Sequence, residues 1–269
     1  MTVAKAYAKI NLALIVGPLR PDGKHEVATV LQRIALHDDL VLRPALETTV
    51  HGFPDDTIVR AALDRLAHAA GCESGWAVHI EKRIPLAAGL GGGSADAAAA
   101  LELANATLET PLTPVQLHTI AAELGADVPF FLRRTAQLAT GDGTVLRPVT
   151  LPQDYVVVLV VPDGVRKEST GSVYDVFDQR GGVPGFAERA AWLDDAIESI
   201  VDPTDLATFP PNVLASSPLS DELRALGAFR ADVSGAGPTV YGLFSEHESA
   251  LRAEQAMRSR GRTFVTHPV

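Results

Sequence analysis

Apolar residues fall in short runs and alternations separated by turn residues, and the pattern mixes the two-residue and 3.6-residue periods along the whole chain. Residues 6–16 predict a strand, broken by the turn Gly17-Pro18-Leu19-Arg20-Pro21-Asp22-Gly23. Residues 40–42 and 48–51 predict a hairpin, and Asp55-Asp56 predict the start of a helix that runs to about Ala70 and stops at Gly71. Residues 76–82 alternate like a strand. Thr113-Pro114 opens another helix, with proline at its first position, and Gly125 ends it. Residues 137–146 predict a hairpin turning at Gly141-Asp142-Gly143. The polar, proline-bearing stretch 148–154 predicts a boundary, giving domains 1–150 and 151–269. Beyond it the pattern predicts strands at 155–161, 230–233, 239–244 and 262–266, with helices around 186–200, 220–226 and 246–259. That second half reads as a small α+β sandwich.

Residues 85–101 read PLAAGLGGGSADAAAAL. Gly89, Gly91, Gly92 and Gly93 leave the backbone nearly free of Cβ atoms, so main-chain N–H groups can approach an anion. Ser94 reads as a helix N-cap, and the alanine run after it is strongly helix-forming. Strand, glycine loop and helix N-terminus together favour negative charge, because unpaired N–H groups and the helix dipole point the same way. The plainer alternative is a tight connection with no ligand. The chain contains no G-x-x-x-x-G-K-[ST], which excludes a P-loop. A dinucleotide fingerprint fails as well: Ser94 stands at the third glycine position, and Glu109 follows a helix rather than a strand.

With 269 residues and a net charge of −10, the chain has room for real cores but no general surface for nucleic acid or an anionic membrane. Any anionic ligand must meet a local basic pocket. The single cysteine, Cys72, fits a reducing cytoplasm. Lys5, Lys9 and Asn11 interrupt the apolar N-terminal stretch, which argues against a signal peptide, and the longest apolar run, 155–161, is strand length.

Three further segments carry polar groups that packing does not require. Lys9 and Asn11 share one face of a strand, with Ile10 and Leu12 on the other; a solvated strand face is the plain alternative. Asp127, in Gly125-Ala126-Asp127-Val128-Pro129, could be only the N-cap of a short helix. Val233-Ser234-Gly235-Ala236-Gly237-Pro238-Thr239 is a second glycine loop, or else a tight inter-strand turn.

Taken together these segments resemble the GHMP kinases, the superfamily of galactokinase, homoserine kinase and mevalonate kinase. Lys9-Ile10-Asn11-Leu12 matches its N-terminal motif and residues 85–94 its ATP loop. Arg20-Pro21-Asp22-Gly23-Lys24-His25 and Gly125-Ala126-Asp127-Val128-Pro129 are similar to the branch that acts on a cytidine diphosphate-linked sugar alcohol. Ser169-Thr170, Tyr174, Asn212 and the second glycine loop follow in family order, so the resemblance spans nearly the whole chain.

The resemblance implies an α+β, two-domain architecture, with an N-terminal ribosomal-protein-S5-like domain, a C-terminal ferredoxin-like sandwich and an active site in the cleft between them. It implies ATP as co-substrate with Mg²⁺, a small-molecule alcohol as acceptor, a cytoplasmic setting, and a monomer or homodimer. Main-chain groups along Pro85, Leu86, Ala87, Ala88, Gly89, Leu90, Gly91, Gly92, Gly93 and Ser94 would bind ATP. Asp127 would accept the proton of the attacking hydroxyl, with Lys9 stabilising charge beside it. Asn11 and Thr170 would contact the substrate, His25 would read the cytosine edge and Tyr174 would stack on it. Two departures stand out. Lys24 replaces an aromatic residue, so its stem or charge would cover the base or meet the diphosphate. Ala95 replaces a serine, so Ser94 or Asp96 would supply any hydroxyl or carboxylate needed near Mg²⁺; Asp96 is equally a favourable first-turn acid. The rival readings are a GHMP kinase for another alcohol, such as mevalonate or homoserine, and a nucleotide-binding protein without catalysis.

Overall fold

The computed structural model describes residues 2–53, 56–165 and 169–269. In chain order it begins with β1 (Thr2–Leu19), β2 (His25–Ala45), β3 (Thr49–His51), α1 (Ile58–Ala70), β4 (Gly75–Glu81), α2 (Gly92–Asn105), α3 (Pro114–Leu124) and α4 (Val128–Phe131). There follow β5 (Gln137–Gly141), β6 (Val145–Pro148), β7 (Val156–Pro162), α5 (Thr170–Gln179), α6 (Phe186–Ser199), α7 (Leu219–Ala225), β8 (Arg230–Val233), β9 (Val240–Phe244), α8 (His247–Met257) and β10 (Gly261–Thr266). Contacts divide the chain into two units that interleave along the sequence. One comprises Met1–Ala8, Leu36–Pro85 and Gly91–Arg134; the other comprises Lys9–Ala35, Leu86–Leu90 and Thr135–Val269. The paired strands β1 and β2 both pass from one unit into the other.

In the first unit the C-terminal half of β2 runs antiparallel to β4, from Asp39 opposite Glu81 to Ala45 opposite Gly75. β3 pairs with the other edge of β4, in parallel, with Val50 opposite Val78. The hairpin expected from residues 40–42 and 48–51 therefore does not form, because β4 lies between its two arms. A parallel pair needs a crossover, and α1 supplies it. That helix buries Val59, Ala62, Leu63 and Leu66 on one face. The Asp56 carboxylate accepts from Val59 N at 2.9 Å, and Gly71 closes the helix in the left-handed conformation at φ 62°. Asp55, expected to share the cap, lies outside the described residues.

Helix α2 is buried almost all round from Ala95 to Leu101, and its small side chains let the neighbouring helices pack closely. It begins three residues earlier than expected. Gly91, at φ 72°, is the N-cap, and Ser94 lies inside the first turn without a capping bond. The glycines, rather than the serine, set the start of the helix.

In the second unit the N-terminal half of β2 pairs with β5, and β5 with β6 across the expected Gly141–Gly143 turn. A separate four-stranded antiparallel sheet has the order β10-β7-β9-β8. With α5, α6 and α7 before β8, and α8 between β9 and β10, this is a ferredoxin-like sandwich. Its core gathers Val158, Val160, Leu223, Val240, Phe244 and Met257. α5 has no counterpart among the sequence expectations. Its start is fixed by a capping box between Ser169 and Ser172. No helix among the described residues is long and apolar enough to cross a membrane.

Candidate active site

Three segments of the second unit meet around Lys9. Lys9 and Asn11 lie on one face of β1 as expected, yet that face is buried: Lys9 is 3% exposed and Asn11 4%. A buried ammonium is expensive unless bonded. Lys9 Nζ donates to Asn11 Oδ1 at 2.5 Å, and Asn11 Nδ2 donates to Thr29 Oγ1 at 2.8 Å. A solvated strand face is thus ruled out, and the sequence places charge inside the protein deliberately.

The first glycine loop reaches this point through its carbonyl groups. Lys9 N donates to Leu90 O at 3.0 Å, Thr239 N to Ala88 O at 3.2 Å, and Ser234 Oγ to Gly89 O at 2.9 Å. Gly89 is at φ 81°, and a Cβ there would lie 2.3 Å from Ser234 O, so no other residue fits. The second glycine loop closes from the other side. A Cβ on Gly235 would lie 3.4 Å from Lys9 Nζ and 3.3 Å from Asn11 Oδ1. Behind this loop, Asn212 Nδ2 donates to Val233 O at 2.9 Å and Gly235 O at 2.7 Å, while Asn212 N donates to the buried Asp232.

The rest of the first glycine loop, Gly91 to Ser94, belongs to the first unit and forms the start of α2. Beneath it lies an ion cluster that local sequence patterns do not reveal. Lys82 Nζ donates to Asp38 at 2.5 Å and to Asp96 at 2.6 Å, and the completely buried Asp38 also accepts from Ile84 N at 2.8 Å. Burial pushes the Asp96 carboxyl up to about 7; the Lys82 ammonium pulls it down and the Asp38 carboxylate adds to the rise. Asp96 is 1% exposed and committed to this cluster, whereas Ser94 remains half-buried in the first turn. Among the described residues no three His, Cys, Asp or Glu side chains come together as a metal cage. Asp127, in the same unit, is the residue before α4, yet its carboxylate makes no capping bond, so the helix does not account for it.

The remaining predicted residues lie in the second unit. Lys24 Nζ donates to Asp142 Oδ2 at 2.6 Å, on the β5–β6 turn. Burial raises the Asp142 carboxyl, but Lys24 and the Thr144 donors outweigh it and hold it at about 2. The charge of Lys24, though half-exposed, is therefore already paired within the protein. His25 is buried at the start of β2, with Tyr174 stacked on its ring at 5.2 Å and 26°. Thr170 opens α5, one turn before Tyr174. Sequence reasoning missed Asp178, whose carboxylate lies 3.2 Å from His25 Nε2. The Ser169–Ser172 capping box was the available signal, since it places Tyr174 and Asp178 four apart on one helix face.

The chain is similar to known proteins over nearly its whole length. The GHMP kinases N terminal domain matches residues 57–134, and the GHMP kinases C terminal domain matches residues 215–263. The 4-diphosphocytidyl-2-C-methyl-D-erythritol kinase of Desulfitobacterium hafniense is 36% identical, over 97% of this chain and 94% of its own. That of Pelotomaculum thermopropionicum is 38% identical, over 95% and 93%. Among solved structures, a 4-(cytidine 5'-diphospho)-2C-methyl-D-erythritol kinase superposes with a TM-score of 0.79 at 31% identity, over 99% of both chains. A homoserine kinase from Cytophaga hutchinsonii, at 17% identity and a TM-score of 0.71 over 97% of this chain and 94% of its own, shares the fold. The chain belongs to the 4-diphosphocytidyl-2-C-methyl-D-erythritol kinase family of GHMP kinases.

Proposed function

We propose that this protein transfers the γ-phosphoryl group of ATP to the 2-hydroxyl of 4-diphosphocytidyl-2-C-methyl-D-erythritol, in the non-mevalonate route to isoprenoid precursors. The observation that carries the reading is the buried Lys9 ammonium, held by Asn11 and facing Gly235 next to the first glycine loop. Phosphoryl transfer asks for little covalent chemistry from the protein and much positioned positive charge. The near-full-length likeness to kinases of this name supports the choice of substrate. The two matched family domains fall on either side of residue 150, which supports a division into 1–150 and 151–269. The single cysteine supports a reducing, cytoplasmic setting.

In this reading, main-chain N–H groups from Gly89 to Ser94 bind the ATP phosphates, aided by the positive end of α2. Asp127 accepts the proton of the substrate hydroxyl as that oxygen attacks the γ-phosphorus. Lys9 stabilises charge on the reacting oxygens. A loose transition state needs proton transfer only late, so an ordinary carboxylate serves. Asn11 and Thr170 orient the acceptor, and His25 with Tyr174 hold its base. Mg²⁺ bound to nucleotide needs one or two protein oxygens beside phosphate and water, and it neutralises phosphate charge. The Ser94 hydroxyl fits that demand, while Asp96 is taken by Lys82.

Replacing Asp127 with Asn keeps the shape and removes the base. Loss of a general base costs about 10² to 10⁴ in rate, so kcat should fall by that factor with the KM for ATP nearly unchanged. A kcat within a few fold of the wild type would overturn the assignment of Asp127.

A further inference from the structure

Asn212 is buried behind the second glycine loop, and its side-chain amide is fully bonded. Nδ2 donates to the carbonyl oxygens of Val233 and Gly235, one on each side of Ser234. Oδ1 accepts from Leu214 N at 2.8 Å and from Ala215 N at 3.2 Å, an Asx turn that fixes the amide itself. An amide has two donors and an oxygen with two lone pairs, so its whole capacity is spent here.

The segment that carries Asn212 is anchored in turn. Arg230, on β8, donates to Leu206 O at 3.1 Å, Phe209 O at 2.8 Å and Pro210 O at 3.0 Å. Its guanidinium lies 3.6 Å from Asp232 Oδ2, the oxygen that accepts from Asn212 N. Asp232 Oδ1 accepts from Val233 N at 2.8 Å. Each of these groups is buried, and leaving one unpaired is costly, so the loop and its support hold one arrangement.

On its other side the loop meets Lys9. Gly235 stands at φ 57°, and the space its missing Cβ leaves is bounded by Lys9 Nζ and Asn11 Oδ1. A backbone this close to the ammonium limits where the charge can sit. We infer that Asn212 is a positioning residue for phosphoryl transfer: by gripping the carbonyls of Val233 and Gly235 it fixes the wall against which the Lys9 ammonium is held. The inference rests on the reading of Lys9 as the group that stabilises charge on the reacting oxygens. Serine at 212 can keep the turn to Leu214, but its single hydroxyl cannot also reach both carbonyls. Aspartate, of the same shape, would turn an oxygen without a proton toward them.

The test is a double-mutant cycle on kcat with wild type, Asn212→Ser, Lys9→Met and the double variant. Turnover is followed with γ-³²P-labelled ATP, so that slow rates are read, at a temperature below every melting midpoint. Asn212→Ser should lower kcat by about 10- to 100-fold, the scale of an ångström misplacement of a catalytic group. With methionine already at position 9, the same change should alter kcat by less than about threefold, because residues that act as one unit are not additive. An equal fall in both backgrounds would show a general structural role and overturn the inference, as would an unchanged kcat in Asn212→Ser. Asn212→Asp repeats the cycle if the serine variant does not fold. If Lys9→Met itself keeps the wild-type kcat, the reading of Lys9 fails and the inference fails with it; a large loss there with additive effects removes the role of Asn212 alone.

Discussion

Gly93 is the position where binding and folding are best told apart. It is exposed in the first turn of α2, and a Cβ built there would meet Ile58 Cγ2 at 3.6 Å, an ordinary contact. Its backbone is helical, so alanine brings no strain and removes the entropic cost of glycine in a helix, about 0.5–1 kcal/mol. For a chain of this size that amounts to a rise of roughly 1–4 °C in Tm. Gly93 also lies within the run of N–H groups, Gly89 to Ser94, proposed to hold the ATP phosphates. A lost hydrogen bond to a charged group is worth about 1.5–3 kcal/mol, so the KM for ATP should rise by about 10- to 100-fold. Other glycines of the loop are poorer probes. A Cβ on Gly92 would press on Ile84 at 3.0 Å and reach Lys82 Nζ at 3.4 Å, and one on Gly89 would strike the backbone of Ser234. Thermal melting and ATP titration of Gly93→Ala provide the measurement. A more stable protein with a weaker KM is expected. A more stable protein whose KM for ATP is unchanged would refute the placement of the phosphates.

Lys24→Tyr should restore a stacking surface worth about 1–3 kcal/mol to a base, so the KM for the cytidine substrate should fall or stay level; loss of all activity would mean that Lys24 serves the substrate in a way this account omits. The same variant tests the ion pair with Asp142. Because the folded Asp142 carboxyl is held below its ordinary value of 3.8, at about 2, its stabilisation is fully present above about pH 4 and is lost as pH falls through 2. Wild type should therefore be the more stable protein above pH 4, by less than about 1 kcal/mol since Lys24 is half-exposed, and the difference in denaturation midpoints should vanish near pH 2.

Most elements were legible because local patterns specify them. Asp56 and Gly71 delimit α1, Thr113-Pro114 opens α3, and β8 occupies the expected residues. Strand pairing was less legible. Nothing near residues 40–51 announces that β4, about thirty residues later, takes the place between two apparent hairpin arms. Ser94 looked like a cap because side-chain caps are usual, whereas here Gly91 turns the backbone into the helix without one. The candidate site divides the same way. Lys9, Asn11, the two glycine loops and Asp127 stood out as polar or flexible residues in apolar surroundings. Lys82 with Asp38, 44 positions apart, and His25 with Asp178, 153 apart, are joined only by the folded chain.

The central claim is tested most directly by following ATP turnover with the cytidine substrate, mevalonate and homoserine in parallel, and locating the new phosphate by ³¹P NMR. ADP and phosphorylated product are expected in equal amounts with the cytidine substrate alone, the new phosphoester sitting on the tertiary carbon that carries the 2-hydroxyl. Preferred turnover of mevalonate or homoserine, or a phosphate on a different oxygen of the cytidine substrate, would contradict it.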